Sequence, residues 1–532
     1  MTGVQTCALP ISDLLLQSTN SMDSPLTLTE STILTWITFI PLIGMVVIMC
    51  VPRQNMSLVK GIAGLATFIP LVLATMVYFG DFQTAANGYQ LVQSMPWITA
   101  GEFKVNYTVG IDGLSLPLVW LTTLLMFIAV PASETVPRVS KAYYALLLLL
   151  GCGITGVFIS LDYFLFYVFW EVMLLPMYFL IGIWGGPKRE YAAIKFFLYT
   201  LAGSVLMLIA LVVMYLDQGT FSIPEMVAVG KAGAWTGPDL LGMKFTTWAF
   251  WFLFIAFAIK IPCFPFHTWL PDAHVQAPTP ISVILAGILL KLGGYGLIRG
   301  CFPLLPHAFR ENAYILGVLG VISIIYGAYV ALGQTDFKRM VAYSSVSHMG
   351  FVLLGMAALT NWGMNGAALQ MFNHGTSSAA CFLIVGVLYD RAHHRDLNAF
   401  GGVAQVMPRY WALATIGFFA SLGLPGMASF VSEAMTLVGA FQSADTRFQI
   451  LVLISCLGVV LTAAYILWAL QRVFLGPLNE KCKDFPDINA REIFSLAPLL
   501  FLCLALGIFP MYLLDWMDTS VIELMSLLQP GS

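Results

Sequence analysis

Two lysines stand in the stretch 251–299 where nearly every neighbour is apolar. Lys260 follows nine uncharged residues, and Lys291 lies within the apolar run 281–297, where no break is expected. An ionised side chain at bilayer depth costs roughly 2.5–3.5 kcal/mol on insertion scales, so it is placed there only when something compensates. Two in succession point to an ion path. Glu171, in YFLFYVFWEVMLLPMYFLIGIW, has no basic residue within fifteen positions, so its partner must come from another helix. Opposite Lys260 at about 4 Å and an effective dielectric near 20, the attraction would be ~4 kcal/mol. A switchable pair of that strength holds a proton when closed and releases it when parted. The plainer reading is a static ion pair that fixes helix packing.

His348 in YSSVSHMGFV and His374 in QMFNHGTSSAACF follow further along the chain. A lone buried histidine is ordinarily a hydrogen-bonded core residue. Two of them, with Ser344, Ser345, Ser347, Thr376 and Ser377 nearby, read as a hydrated polar track, and their spacing does not suit metal binding. Glu433, in LPGMASFVSEAMTLVGAF, has apolar flanks that favour a neutral carboxyl able to hold and release a proton. The alternative is an outward-facing glutamate near a helix end. Lys195 is a weaker candidate, because it is close enough to the basic loop Lys188–Glu190 to snorkel.

Other patterns carry no chemistry. GCGITG, Gly151–Gly156, matches the dinucleotide-loop spacing but lies in a membrane span with no strand before it, which makes it helix packing. There is no Walker A sequence, and the sequons at Asn55 and Asn106 read as chance matches. The nine cysteines are scattered without CxxC or Cys/His pairing, so neither a disulfide framework nor an iron–sulfur or zinc site is supported.

The elements that must position these residues are membrane helices. Of 532 residues 59% are hydrophobic and only 10% charged, against about 25% charged in soluble chains. The net charge of -3 says little about partners. Counting about 20 apolar residues per span predicts an all-α polytopic membrane protein with about fourteen transmembrane helices. They fall near 32–51, 58–79, 113–131, 142–160, 162–184, 191–216, 245–265, 279–299, 312–333, 340–360, 364–389, 409–443, 448–474 and 494–514. Residues 89–109 alternate about Gly101 like a short hairpin. Span 7 should break beside Lys260 at Pro262 and Pro265, and span 12 near its middle at Gly423, Leu424, Pro425 and Gly426. Discontinuous helices five spans apart are the sign of two inverted five-helix repeats with a site at the midplane. The resulting division is 13–141 for spans 1–3 and the hairpin, 142–299 for the first repeat, 300–474 for the second, and 475–532 for a loop, span 14 and a short tail. Residues 1–12 look like a translated sequencing adapter and are set aside.

Apart from the two core lysines, lysine and arginine divide sixteen to six between alternate loops. The rule that the richer side is cytoplasmic puts both termini outside.

FWEVMLLPMYFLIG, IKIPCFPFHTWLPDAHVQAPTPISVILAGILLKLGGYGLIR, YSSVSHMGF and NHGTSSAACFL resemble the signature runs of the antiporter-like proton-pumping subunits of respiratory NADH:quinone oxidoreductase, complex I. The resemblance covers nearly the whole chain after residue 30. It implies that Glu171 and Lys260 form an input pair, that Lys291 is central, and that Glu433 is the terminal carrier. Two departures exclude the L-type and N-type branches. Only a short segment follows span 14 where L-type subunits add a long lateral helix, and both branches usually carry lysine where this chain has Glu433. The resemblance also implies no cofactor in this chain, with NADH, FMN, iron–sulfur clusters and quinone in other subunits. The expected partners are other complex I membrane subunits, including neighbouring antiporter-like ones, and the lipid bilayer, with no nucleic acid. The implied location is a bacterial inner membrane. A subunit of a multi-subunit cation/proton antiporter would share the lysine and glutamate pattern, and a quinone-binding redox subunit would need a lipid-accessible chamber that nothing in the sequence marks.

Overall fold

A computed structural model describes residues 32–101, 103–136 and 138–528. The adapter-like dozen at the start lies outside the described residues. Among them, twelve helices are long and apolar enough to cross a membrane: Ile33–Cys50, Met56–Gly80, Ser115–Thr135, Lys141–Ile159, Tyr163–Trp184, Arg189–Gln218, Thr279–Gly300, Pro306–Leu332, Phe337–Ala357, Asn361–Ala392, Arg447–Phe474 and Ala490–Ile508. The two expected spans missing from this set are the two that break. Span 7 is built from Phe245–Lys260 and Trp269–Gln276, and span 12 from Pro408–Leu422 and Ala428–Phe441. With these counted, the described residues contain the fourteen predicted spans.

Each break follows from its residues. In span 7 the helix stops at Lys260, and the open carbonyl of Ile259 accepts the Trp269 indole N–H at 2.8 Å, so the second half caps the first. In span 12, Gly423 and Gly426 take positive φ of 78° and 89°, a region that costs glycine little. Spans 5–6 and 10–11 also open and close alike. Tyr163 N donates to Phe221 O and Ile223 N to Leu161 O, while Phe337 N donates to Arg395 O and Leu397 N to Thr335 O. Asp162 and Asp336, at the centres of these matched bridges, cap the helices that follow them. Five spans separate the two bridges, so they lie at opposite ends of the bundle, as an inverted repeat requires.

The most apolar stretches of spans 8 and 11 are wholly buried within the chain, whereas those of spans 1, 2 and 14 bury only a third of their residues. The former form the core and the latter its periphery. Gly153 and Gly156 of span 4 face Met173 and Phe169 so closely that an added Cβ would lie 3.2 and 2.3 Å away, which makes the GCGITG run a packing surface. The predicted hairpin is present as β1, Gln90–Ala100, and β2, Phe103–Ile111, antiparallel with a turn at Gly101.

Three local features depart from the sequence reading. Span 8 is not regular ahead of Lys291, because Leu285–Leu289 forms a π turn. Span 5 is interrupted at Met173, immediately after Glu171 and Val172. The segment after span 14 is an 18-residue helix, Met511–Leu528, rather than a short tail. It buries Leu513, Met517, Val521, Leu524 and Leu528, a three-to-four-residue spacing typical of a helix lying on a surface. Its Trp516 stacks on Tyr78 at 3.9 Å, Asp518 accepts from Asn365 at 2.7 Å, and Glu523 accepts from Gly88 N at 3.0 Å. The helix therefore ties the loop ahead of the hairpin to span 11.

Topology has a direct check. Lys188 and Leu241 are exposed on loops assigned to opposite sides. A cysteine at Lys188 should react with an impermeant reagent only from the cytoplasmic face and one at Leu241 only from outside; the reverse pattern would overturn the charge-based orientation.

Candidate functional site

The central feature is a line of four buried side chains drawn from spans 8, 10, 11 and 12. Lys291 is fully buried. Its Nζ donates to the Ala286 carbonyl at 2.5 Å and lies 2.7 Å from His374 Nδ1, within hydrogen-bond distance. Ala286 belongs to the π turn, where departure from the regular backbone ladder leaves carbonyls open to side-chain donors. This irregularity, absent from the sequence expectation, gives the Lys291 amine a fixed acceptor. The ring of His374 lies 5.6 Å from that of His348, centroid to centroid. His348 Nδ1 is 2.9 Å from Glu433 Oε1. The Nε2 atoms of both histidines are buried and without a partner.

Glu433 is 5% exposed, so the outward-facing alternative does not hold. It lies in the second half of span 12, and an added Cβ on Gly423 would stand 3.1 Å from its Oε2, so the backbone of the break abuts the carboxylate. Gln370 Nε2 donates to Glu433 Oε1 at 3.2 Å, Ser432 donates to Gln370 Oε1 at 2.5 Å, and Asn373 donates to Ser432 at 3.2 Å. Gln370 thus holds the carboxylate, with Ser432 and Asn373 bracing it from behind; none of the three stands out in the sequence, where amides one and four residues before a histidine carry no distinctive pattern. The hydroxyls read as a polar track behave differently. Ser344 donates to Val341 O, Ser347 to Ile324 O and Thr376 to Asn373 O, so the protons of these three hydroxyls are directed at backbone carbonyls.

Glu171 and Lys260 do not form the expected close pair. Among the described residues no lysine or arginine nitrogen lies within 4.0 Å of a Glu171 oxygen, and both Glu171 Oε1 and Lys260 Nζ are buried without a hydrogen-bond partner there. Lys260, 1% exposed, is instead held over the rings of Trp170 and Phe196 at 5.1 and 5.4 Å. Such contacts contribute roughly 0.5–2 kcal/mol, and a helix C-terminus also favours a cation. Glu171 remains the carboxylate whose charge acts on Lys260. The static ion pair is therefore excluded in this conformation. Lys195 is held by Asp272 at 2.7 Å, with Arg339 on the other oxygen at 3.4 Å, so it is an ion-paired residue at the basic end of the bundle.

Arg299, in the last turn of span 8, is 9% exposed and forms an ion pair with Asp112 and a 2.9 Å bond to Tyr89. Breaking a buried pair from one side costs about 3–5 kcal/mol. Arg299→Ala should accordingly lower the melting temperature and the membrane level of the protein, and adding Asp112→Ala should restore part of the loss. Equal stability of wild type and Arg299→Ala in detergent thermal melts would contradict this.

The comparisons with known proteins fit this geometry. Residues 160–462 match the family described as NADH:quinone oxidoreductase/Mrp antiporter, transmembrane. The chain is 41% identical to NADH-quinone oxidoreductase subunit M of Rhodobacter capsulatus over 92% of its own length and 96% of the relative's. It is 40% identical to the subunit M of Rickettsia prowazekii, covering 92% and 97%, and 40% identical to an NAD(P)H-quinone oxidoreductase chain 4 of Trichormus variabilis, covering 92% and 91%. It superposes on a chain of the respiratory complex I from Thermus thermophilus with a TM-score of 0.82 at 27% identity, covering 93% of this chain and all of that one. A chain of the Mrp complex from Dietzia sp. DQ12-45-1b shares the fold, with a TM-score of 0.80 at 19% identity over 94% and 100%. The chain belongs to the NADH:quinone oxidoreductase/Mrp antiporter transmembrane family.

Proposed function

We propose that this chain is the M-type, proton-translocating membrane subunit of an NADH:quinone oxidoreductase. On this reading it couples quinone reduction elsewhere in the complex to proton movement through Lys291, His374, His348 and Glu433. The observation that carries it is the succession of those four groups across the buried centre, hydrogen-bonded at its two outer links and with the imidazoles 5.6 Å apart, centroid to centroid, between them. With Lys291 donating, His374 accepts at Nδ1 and carries its own proton on Nε2. With Glu433 ionised, His348 donates from Nδ1 and keeps Nε2 as an acceptor. Every group is then poised to pass a proton in one direction: Lys291 to His374 Nδ1, His374 Nε2 to His348 Nε2, and His348 Nδ1 to Glu433. No redox group is needed in this chain for that sequence, and the chemistry of NADH oxidation belongs to other subunits.

Glu171 and Lys260 serve as the gate on this reading. Lys260 rests on aromatic rings rather than on the carboxylate, so approach of Glu171 is a movement still available to it. That approach would favour the charged lysine by ~4 kcal/mol at contact. Glu171→Gln and Lys260→Ala should each strongly reduce proton uptake while the complex still assembles. Lys260→Arg should impair it as well, because arginine does not release its proton. Full pumping in any of these variants would reduce the pair to a packing feature. The shared fold of the Mrp chain keeps a cation/proton antiporter subunit as the second reading. Purifying the native complex and identifying its subunits separates the two, since an NADH-oxidising partner set is expected only for the first.

A further inference from the structure

Gln370 carries a fully buried amide that takes no part as a carrier in the line from Lys291 to Glu433. It lies one helical turn before His374 on span 11, so the two side chains leave the same face of that helix. The direction of its amide is set from further back. The Ala428 carbonyl can only accept, so Asn373 turns its amide nitrogen toward it at 2.8 Å, and the same nitrogen reaches Ser432 Oγ at 3.2 Å. Accepting there, Ser432 sends its own proton to Gln370 Oε1. Gln370 is left with an N–H aimed at Glu433 Oε1, the same oxygen that lies 2.9 Å from His348 Nδ1. A turned amide would set its oxygen against the carboxylate and its nitrogen against the proton of Ser432. The order is kept although Asn373 Oδ1 is buried without a partner among the described residues, a cost that packing alone does not require.

We infer that Gln370 is a positioning residue for the last transfer of the line: its N–H, aimed by Ser432 and Asn373, holds Glu433 Oε1 toward His348 and leaves Oε2 toward the break at Gly423. The inference rests on the proton-translocation reading above. A glutamate turns about three side-chain torsions, and one contact with His348 does not fix them all. A second donor on the same oxygen, brought by another span, restrains the carboxylate further. The step it serves moves a proton alone: the N–H bond at His348 Nδ1 breaks, an O–H bond forms at Glu433, and Gln370 keeps both of its amide protons. A misplacement of about 1 Å costs a reacting pair roughly 10²-fold in rate, so the hold on this oxygen governs how fast Glu433 is loaded.

The test uses the intact complex in sealed membrane vesicles, with proton uptake measured per NADH oxidised and assembly read on native gels. Gln370→Met keeps the length of the side chain and loses the donor. Ser432 then turns its proton to Ser429 O, 3.1 Å away, so no hydroxyl is orphaned. Gln370→Asn keeps the amide but draws it back by one methylene. The expected result is a loss of uptake of about tenfold to hundredfold in Gln370→Met and a smaller loss in Gln370→Asn, both in assembled complex. A residue that only fills space gives the reverse order, because methionine matches glutamine in size and asparagine leaves a gap. Uptake in Gln370→Met equal to or above that in Gln370→Asn would overturn the role. Ser432→Ala leaves Gln370 in place but frees its amide to turn, and it decides the case if Gln370→Met does not assemble: lowered uptake supports the inference, and wild-type uptake sinks it. Glu433→Gln measured alongside distinguishes the two failures. If that variant also pumps normally, the translocation reading itself is wrong; if it alone loses pumping, only the role of Gln370 is.

Discussion

Lys291→Ala should remove this subunit's contribution to proton uptake while leaving electron transfer to an artificial acceptor intact. Deleting a positioned proton-transfer group lowers a rate by ~10²–10⁴-fold. A path slowed that far delivers nothing within a turnover. The structure sharpens the expectation, because Lys291 is bonded to His374 at 2.7 Å and alanine would break the line at its first link. Lys291→Arg should fail too: it fills the site and keeps a donor, but it holds its proton. The measurement is proton uptake per NADH oxidised in sealed vesicles. An arginine variant that pumps normally would mean that the charge of Lys291, not its proton, is what matters.

Glu433→Gln should have a comparable effect. Glutamine is close in shape to glutamate, can still accept from His348 and Gln370, and should leave folding nearly unchanged. It cannot take a proton. Uptake should therefore nearly vanish in a complex of normal stability, whereas Glu433→Asp should keep part of it, since the acid is retained but drawn back by one methylene from a 2.9 Å contact with His348. If Glu433 only held the helix against His348, glutamine would serve almost as well as glutamate, and unchanged pumping by that variant would remove Glu433 from the path.

The sequence announced the candidates more readily than their contacts. A lysine or glutamate in an apolar run is conspicuous because of its desolvation cost, so Lys260, Lys291, Glu171 and Glu433 could be picked out singly. The breaks at Pro262 and at Gly423–Gly426 were legible for a similar reason, since proline and glycine act locally. The π turn at Leu285–Leu289 was not, because Leu-Ala-Gly-Ile-Leu holds no residue that a regular helix rejects. Contacts over long separations were equally hidden. His348 and Glu433 are 85 positions apart and Arg299 and Asp112 are 187 apart, and only the packing of spans decides that they meet. The same limit explains the Glu171 and Lys260 expectation: opposite charges in spans 5 and 7 suggest contact, but the sequence does not say which way each helix turns its face. The helix Met511–Leu528 was passed over because it carries Asp515, Asp518 and Glu523 and so ends the apolar run, although its buried positions keep helical spacing.

The claim that Lys291, His374, His348 and Glu433 act as one path is tested most directly by combining its two ends. Proton uptake per NADH oxidised should be measured for Lys291→Ala, for Glu433→Gln and for the double variant in the same sealed vesicles. Links in series fail together, so the double variant should pump no less than the weaker single variant. If each single variant kept a substantial share of uptake and the two losses added in the double, the residues would lie on separate routes and the four-residue line would not be the path.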